Sequence, residues 1–397
     1  MTAPDSELGP LRATTPRRVS RWVLVAAILA RMPQGLAPLS VVLLAQERTG
    51  SFAAAGVSGG AWAVGSAVSQ PLWGGFAGRG RAHRVEALTA STQAVVLLLL
   101  ALGTSDAEGL VVLLAGVGGL FAAPTSPISR TLWPQLAQDE HHLDALYTHD
   151  ATWQELIFIA GPAMVGVLVA VSGPSASLAA AAAFGSIGGL FFAAIVRPLW
   201  KPHPEPASRL GLGRSLLTLS GPYAALGLMA LGLGMAEVAV PAVAILEGNR
   251  AASGWLLALW SVGSLVGGLW AARVRWRRGP GERWPGLMAA VAVGTATTAI
   301  GWQFGLAWLG LTLFLAGLAL APTLAAGYGV ISERAAPGRR TDAFAWTTTC
   351  LLVGIGSGVS IGGMLADVSP TWSFAMAAVI TVGAAGTARV WGTPSVP

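Results

Sequence analysis

The chain consists of long apolar runs separated by short polar segments. Each run is about 20 residues long, the length that an α-helix needs to cross the roughly 30 Å hydrocarbon core of a bilayer. Backbone N–H and C=O groups find no water there, so only α-helices and closed β-barrels can span it. Barrel strands would alternate apolar and polar residues over about ten positions, and the sequence lacks that pattern. It therefore predicts an all-α polytopic membrane protein.

The composition agrees with this prediction. Of the 397 residues, 54% are hydrophobic and only 11% are charged, which is too little polar surface for a water-facing protein. The net charge of +6 would also suit a nucleic-acid-binding protein, but the basic residues are scattered in short clusters between the apolar runs. We therefore expect the lipid bilayer, and no nucleic acid, as a partner.

Scanning at the span length predicts twelve transmembrane helices in two bundles of six. The predicted spans are residues 22–45, 53–77, 85–104, 109–132, 146–172, 175–196, 217–245, 252–272, 284–303, 306–331, 342–365 and 371–391. The expected organisation is a tail over residues 1–20, a bundle over 21–196, a linker over 197–216, a bundle over 217–391 and a tail over 392–397. The linker is assigned because that segment is rich in Pro and charge.

The arginines predict the orientation in the membrane. With the N-terminus in the cytoplasm, the cytoplasmic connections hold the clusters GRGRAHR (78–84), RVRWRRGPGER (273–283) and ERAAPGRR (333–340), whereas the outer connections hold only Arg48 and Arg250. Cytoplasmic loops of membrane proteins carry an excess of Arg and Lys. We therefore expect a multi-pass protein of the cell membrane with both termini in the cytoplasm.

The two predicted bundles share sequence features at one fixed offset. AWAVGSAV (61–68) aligns with LWSVGSLV (259–266), APT (123–125) with APT (321–323), and the Asp-Ala pair at 144–145 with that at 342–343. The offset is 198 residues in each case, about half of the chain. A repeat of this kind predicts two halves of similar structure.

The segment WGGFAGRGRAHRV (73–85) resembles the signature loop of the major facilitator superfamily, whose members pack two six-helix bundles around a central cavity. The matching positions are Gly74, Arg79, His83 and Arg84. Gly78 stands where the family usually has Asp, and Arg81 where it usually has a second Gly. The resemblance implies a gating role for the matching residues of this loop. Arg130, at the cytoplasmic end of the fourth span, is a further candidate for gating, with an orientation signal or a lipid-headgroup contact as the alternatives.

A second segment, AGPAMVGVL (160–168), is similar to the Gly-Pro motif that exporters of this superfamily carry in the fifth span, with Val165 in place of one Gly. The likeness implies a bacterial exporter of drugs or metabolites. Pro bends membrane helices where neighbouring helices satisfy the freed carbonyls. We therefore expect Gly161 and Pro162, and likewise Pro38 and Pro241, to act as hinges or packing positions.

Three ionisable residues fall inside predicted spans: Arg31, Glu155 and Glu237. A charge at the bilayer centre costs at least about 2.5 kcal/mol on insertion scales, so each is a candidate for substrate binding or proton coupling. Overlaying Pro241 on Pro38 puts Glu237 at the level of Gln34, about one helical turn from Arg31. Arg31 could pair with Glu237 across the cavity or extend its side chain to the cytoplasmic interface. Glu155 is the alternative proton carrier.

Glycines repeat at four-residue spacing in three spans, a pattern that lets membrane helices pack closely. The residues are Gly354, Gly358 and Gly362 in the eleventh span, Gly263 and Gly267 in the eighth, and Gly56 and Gly60 in the second. The resemblance places these spans at the boundary between the two halves. We therefore expect all three rows to pack across that boundary.

The sequence holds no phosphate-binding loop, nucleophile elbow or metal-ligand cluster, so we expect no enzyme, cofactor or metal. The leading hypothesis is a monomeric secondary active transporter that exports a small amphipathic compound, neutral or cationic, in exchange for protons by alternating access. One alternative is an uptake symporter for a sugar or another metabolite. The other is a sensor with a transporter fold that moves no substrate.

Overall fold

The computed structural model describes residues 11–103, 107–200, 219–274, 276–335 and 340–392, and these ranges are helical with no β-strand. The α-helices are α1 (Leu11–Thr49), α2 (Phe52–Phe76), α3 (Ala82–Leu102), α4 (Glu108–Leu120), α5 (Thr125–Leu136), α6 (Glu140–Ser172), α7 (Pro174–Leu199), α8 (Ser220–Leu246), α9 (Ala252–Arg273), α10 (Pro280–Gly301), α11 (Leu306–Gly317), α12 (Leu320–Arg334), α13 (Arg340–Val368) and α14 (Pro370–Gly392). The all-helical prediction is confirmed.

Ten helical segments of the described chain are long and apolar enough to cross a membrane. The helices α4 and α5 together make one of them, and α11 and α12 together make another. The apolar part of α6, Leu156–Ser172, is shorter, and α2 is not among the ten. The count of twelve transmembrane helices therefore stays a prediction.

Two of the domain boundaries lie near the ends of described helices. The helix α1 begins at Leu11, so residues 11–20 are helical where the sequence had suggested a tail. The helix α7 continues to Leu199, three residues past the predicted end of the first bundle. Most of the linker, residues 201–216, and the tail residues 393–397 lie outside the described residues.

The fourth and tenth predicted spans are each interrupted at equivalent places. The chain leaves the helix between α4 and α5, and it does so again between α11 and α12. Each break is followed by one of the two repeated APT segments, whose prolines are Pro124 and Pro322. Proline is tolerated at the start of a helix, where its missing N–H would have no acceptor. The repeat in the sequence therefore corresponds to a repeat in the structure.

The same helix pairings recur in both halves. In the N-terminal half, α1 and α3 pack against α7, and α2 packs against α4. In the C-terminal half, α8 and α10 pack against α14, and α9 packs against α11. Two further pairings join the halves, α2 with α13 and α6 with α9, and these two are equivalent under the same repeat. The halves are thus related by pseudo-symmetry.

Glycines bring backbones together at both seams between the halves. A Cβ at Gly56 would lie 2.6 Å from the carbonyl oxygen of Val359, and Ser360 leaves no room for one at Gly60. At the other seam, a Cβ at Gly166 would lie 2.9 Å from the carbonyl oxygen of Ala251. Small residues are therefore required at both seams for the observed approach of the helices.

The other two glycine rows lie inside the C-terminal half, which corrects the expectation that they would pack across the boundary. Gly354, Gly358 and Gly362 face α8, where the space for a Cβ is filled by backbone of that helix. Gly263 and Gly267 face Phe314 and Leu318, at the end of α11 and in the turn beyond it. Of the three rows, only the one in α2 packs across the boundary. The helix α13 contacts α2 with one face and α8 with another, and its glycine row lies on the face toward α8.

Candidate functional site

The site is built around Arg31, which is 0% exposed in the interior of the N-terminal half. Its Nη1 lies 2.7 Å from Oδ1 of Asp150, and its Nη2 donates a hydrogen bond to the Ser129 hydroxyl. A buried guanidinium without a partner would be costly, and Asp150 supplies the opposite charge. Both interpretations of Arg31 from the sequence are therefore wrong for this structure. Its side chain is buried and does not extend to the membrane interface, and the carboxylate that pairs with it belongs to Asp150 rather than to Glu237.

Asp150 also forms an ion pair with a second guanidinium group. It lies in α6, is 1% exposed, and its Oδ2 is 3.2 Å from Nε of Arg130 in α5. The Arg130 side chain is 55% exposed, so the cluster reaches from the buried Arg31 to the protein surface. Arg130 was a candidate for gating from its place in the sequence; the structure gives it a carboxylate partner, and its gating role stays a prediction. The carboxylate of Asp150 is therefore shared by two guanidinium groups.

The polar chain continues along α5 to a second buried acid. Thr125 and Ser129 are four residues apart, so they lie on one face of that helix. The Thr125 hydroxyl donates to Oε1 of Glu86 in α3 at 2.5 Å. Glu86 is 0% exposed, and its Oε2 has no hydrogen-bond partner among the described residues. Four helices therefore contribute to one chain of polar contacts.

Sequence reasoning missed Asp150 and Glu86. Glu86 follows His83 and Arg84 at the start of a span, and Asp150 follows His149 at the start of another. Charges at such margins are usually exposed at the membrane interface, so neither residue stood out. Each is buried only because helices distant in sequence pack over it. A polar residue on the inward face of α5, such as Thr125, was the one available signal.

The residue Gln34 lies near Arg31 on α1 and is partly exposed. Its Oε1 accepts a hydrogen bond from Nε2 of Gln154 at 3.2 Å, which links α1 to α6. Gln154 precedes Glu155, whose backbone is part of α6 and whose side chain lies outside the described part of the structure. The proposed role of Glu155 therefore stays a prediction.

Glu237 lies in α8 of the C-terminal half and is partly exposed. Among the described residues it has no hydrogen bond or ion pair. One turn earlier, Gly234 packs against the Ile355 carbonyl of α13, so that neighbouring part of the helix is firmly held. An acid without a partner on a fixed helix is chemically available to a proton or to a cation.

The hinge candidates lie where helices approach closely. Pro162 lies inside α6 and Pro241 inside α8, and Pro38 lies within α1. The backbone at Gly161 contacts that of Gly35, and the Pro162 carbonyl fills the space beside Gly254 of the other half. The Gly-Pro step thus lies at a seam between halves, and its function as a hinge stays a prediction.

Hydrogen bonds join the two halves at the end opposite to the chain termini. The carboxylate of Asp367, at the end of α13, accepts hydrogen bonds from the Ser51 hydroxyl at 2.8 Å and from the backbone N–H groups of Phe52 and Ala53. These groups form the first turn of α2, where N–H groups lack partners within the helix. The carboxylate is also favoured there by the helix dipole.

A second fastening lies beside the other seam. Arg250, in the turn before α9, donates to Oε1 of Gln46 at 2.9 Å and lies 3.1 Å from Oε2 of Glu47. Gln46 and Glu47 end α1 of the N-terminal half. Sequence analysis had assigned Arg250 only to an outer connection, and its function there is a contact between halves.

The comparison with family models decides the family. The model described as Major Facilitator Superfamily matches residues 23–224, slightly more than half of the chain. The chain belongs to the Major Facilitator Superfamily. Membership in this superfamily makes it a transporter rather than an enzyme. A comparison with curated proteins gives no match.

Solved structures with the Major Facilitator Superfamily fold resemble the whole chain. The nucleoside transporter NupG has a TM-score of 0.74 at 15% identity, and the match covers 94% of this chain and 98% of that one. A bacterial homologue of the iron transporter ferroportin, in its inward-facing state, has a TM-score of 0.70 at 15% identity, covering 95% and 99%. A bacterial homologue of the lysosomal transporter Spinster has a TM-score of 0.69 at 14% identity, covering 96% and 97%. At these identities the likeness concerns the fold alone.

The signature loop of the Major Facilitator Superfamily is a π-helical turn here, Ala77–Arg81, between α2 and α3. Gly80 has a φ of 84°, which favours glycine, whereas Arg81 has a φ of −114°. The left-handed residue is thus Gly80, which accounts for Arg81 where the family usually has Gly. The matching Gly74 faces Pro127 of α5, and Arg84 is exposed. The Arg79 side chain lies outside the described part.

Proposed function

We propose that the chain is a secondary active transporter that works by alternating access and exports a small amphipathic organic compound in exchange for protons. Alternating access is supported by the positions of the contacts between the two halves. Their hydrogen bonds, ion pair and closest glycine contacts, as far as the described residues show, lie within residues 46–60, 162–166, 250–254 and 356–367. All of these positions are near the end opposite to the termini.

The arginine clusters assign the other end, which carries the termini, to the cytoplasm. With that orientation the end at which the halves are joined would face outward, and we infer a conformation open toward the cytoplasm. The cell membrane is the location that we propose. Export is favoured by the Gly-Pro segment at 160–168, whose Pro162 lies at the seam between the halves.

Glu237 is the group that we propose for coupling. The charge of Asp150 is already matched by two arginines, whereas Glu237 has no charged partner in the described chain. A carboxyl group of this kind can hold either a proton or a cationic cargo, but not both. Binding of a proton from outside would then release the cargo, and loss of the proton to the cytoplasm would prepare the site for the next molecule. This mutual exclusion favours cationic cargo.

The test is flux in liposomes that contain the purified protein and carry an imposed pH gradient. Ethidium serves as the first probe within a panel of neutral and cationic amphipathic compounds. We expect the gradient to accelerate flux by the wild type and Glu237→Gln to reduce the acceleration by about tenfold or more. The same measurement on Glu155→Gln tests the alternative carrier. Glu247→Gln, at the exposed end of the same helix, is the matched control.

Three outcomes would contradict the proposal. Flux that is unaffected by both substitutions would exclude these acids as coupling residues. Accumulation of sugars together with protons would favour the uptake symporter. If the wild type moves no compound of the panel, the hypothesis of a sensor that transports no substrate is favoured over the transporter.

A further inference from the structure

Glu86 is a buried acid that the proposed mechanism does not use. It lies four residues into α3, which packs against α7, and it accepts a hydrogen bond from Thr125 of α5. Gly189 of α7 lies beside it: a Cβ there would be 3.9 Å from Oε1 of Glu86, an ordinary van der Waals distance. One carboxyl oxygen accepts from Thr125, and the other has no partner in the described chain. A charged carboxylate with an unpaired buried oxygen is costly, whereas the neutral acid is tolerated.

The surroundings of Glu86 contain charges of both signs. Among the described residues, the charged and titratable groups of this region are Arg31 of α1, Arg130 of α5, Asp150 of α6, Arg81 of the π-helical turn, and His83 and Arg84 of α3 itself. Arg31 and Glu86 are connected through Ser129 and Thr125, which lie one turn apart on α5. Arg31 shares the Asp150 carboxylate with Arg130, so Asp150 balances the positive charge of Arg31 only in part, and that guanidinium can also stabilise a negative charge on Glu86. The site therefore accommodates Glu86 in both protonation states.

We propose that Glu86 is a proton-binding residue of the transport cycle and that Thr125 positions it. The proposal rests on the proton coupling proposed above, to which it adds a second site in the N-terminal half. Protonation adds one proton to the free Oε2. Release returns that proton to water and leaves a carboxylate that accepts from Thr125 and faces the positive charge of Arg31.

The contacts of Arg31 connect this proton to the motion of the halves. While Glu86 is neutral, Arg31 is committed to Asp150 and so holds α6 against α1. A charged Glu86 competes with Asp150 for the same guanidinium and weakens that hold. The helix α6 forms the seam with α9 through Gly166. Proton release at Glu86 thereby loosens a helix that the change of conformation has to move.

Infrared spectroscopy tests the proton site without any cargo. Spectra of the full-length protein in lipid are recorded from acidic to alkaline buffer, and the C=O band of protonated carboxyl groups is followed. We expect the wild-type spectrum to contain a band that Glu86→Gln removes. Thr89→Val, a buried substitution one turn away that removes only a hydroxyl, should retain it. Thr125→Val should move it to higher wavenumber, because Oε1 loses its donor.

Ethidium flux in liposomes then separates this proposal from the general one. We expect Glu86→Gln to exchange ethidium across the membrane without a pH gradient and to lose about tenfold or more of the acceleration that a gradient gives the wild type. An unchanged infrared band in Glu86→Gln would overturn the proton site. Loss of the band with unchanged gradient-driven flux would overturn its role in transport. Wild-type ethidium flux that does not respond to the pH gradient would instead refute proton coupling itself, whatever the infrared band shows.

Discussion

Asp367 and Ser51 lie in different halves of the molecule and are joined by a hydrogen bond of 2.8 Å. The same carboxylate accepts from two backbone N–H groups at the start of α2. The family usually carries an acid in the loop at the opposite end of this helix, where the chain has Gly78. The carboxylate that joins α2 to α13 is thus at the end away from the termini. Its hydrogen bonds to α2 must break when the halves separate at that end.

Removing this carboxylate should favour the conformation that is open at the Asp367 end. We expect Asp367→Ala to cost the closed state about 1–2 kcal/mol, which raises the ratio of open to closed molecules roughly 5–30-fold. The measurement is the distance distribution between spin labels at positions 108 and 304, introduced after Cys350→Ser. Both positions lie at that end and on different halves. Glu247→Ala, at the same end but outside the fastening, should leave the distribution unchanged.

Breaking the buried pair of Arg31 and Asp150 should destabilise the fold. Asp150→Asn leaves the buried Arg31 without a carboxylate, for which we expect a loss of about 3–5 kcal/mol in the free energy of unfolding. Arg31→Met should cost less, because Asp150 keeps the ion pair with Arg130. Replacing both at once, as Arg31→Met with Asp150→Leu, should recover part of that loss. The measurement is unfolding by titration with sodium dodecyl sulfate in mixed micelles.

The ion pair of Arg250 and Glu47 provides the control for that experiment. Its side chains are 30% and 45% exposed, so Arg250→Gln should cost no more than about 1 kcal/mol. If Asp150→Asn were as mild as Arg250→Gln, the buried pair would not be a stabilising element of the N-terminal half.

The glycine row on α13 gives a prediction about packing within one half. The backbone of Leu231 occupies the place of a Cβ at Gly358, so Gly358→Ala forces α8 and α13 apart. We expect a loss of about 1–3 kcal/mol in the free energy of unfolding. At Gly383 of α14 no atom lies within 4 Å of a Cβ, and Gly383→Ala should be neutral or stabilising by up to about 1 kcal/mol. Equal effects of the two substitutions would contradict the packing.

A glycine at the seam should behave differently. The place of a Cβ at Gly60 is taken by Ser360 of the other half, so Gly60→Val affects only the conformation in which the halves touch. We expect the open population in the spin-label experiment to rise as in Asp367→Ala, while the free energy of unfolding changes less than in Gly358→Ala. A drop in stability without a shift of population would place Gly60 among the packing residues of its own half.

The membrane fold was accessible from sequence because hydropathy and helix length depend on consecutive residues. The repeat at offset 198 likewise predicted two similar halves, and the helix breaks before Thr125 and Leu320 agree with it, although both spans had been predicted as continuous. The partner of Arg31 was not accessible. The matching of Pro38 with Pro241 pointed to Glu237, but the guanidinium is held by Asp150 of its own half. The direction in which one side chain leaves a helix depends on rotation and packing of that helix, which spacing alone does not fix.

The sequence by itself determined that the chain crosses a bilayer as helices, that it consists of two related halves, and that its basic residues are clustered in connections between the apolar runs. These properties follow from solvation of the backbone and from the order of residues along the chain. Only the tertiary structure decided that Glu86 and Asp150 are buried, that Asp367 fastens the halves, and that Gly358 faces α8 rather than the seam. Each of these depends on contacts between helices distant in sequence, where burial and charge pairing are set by the neighbour and not by the residue.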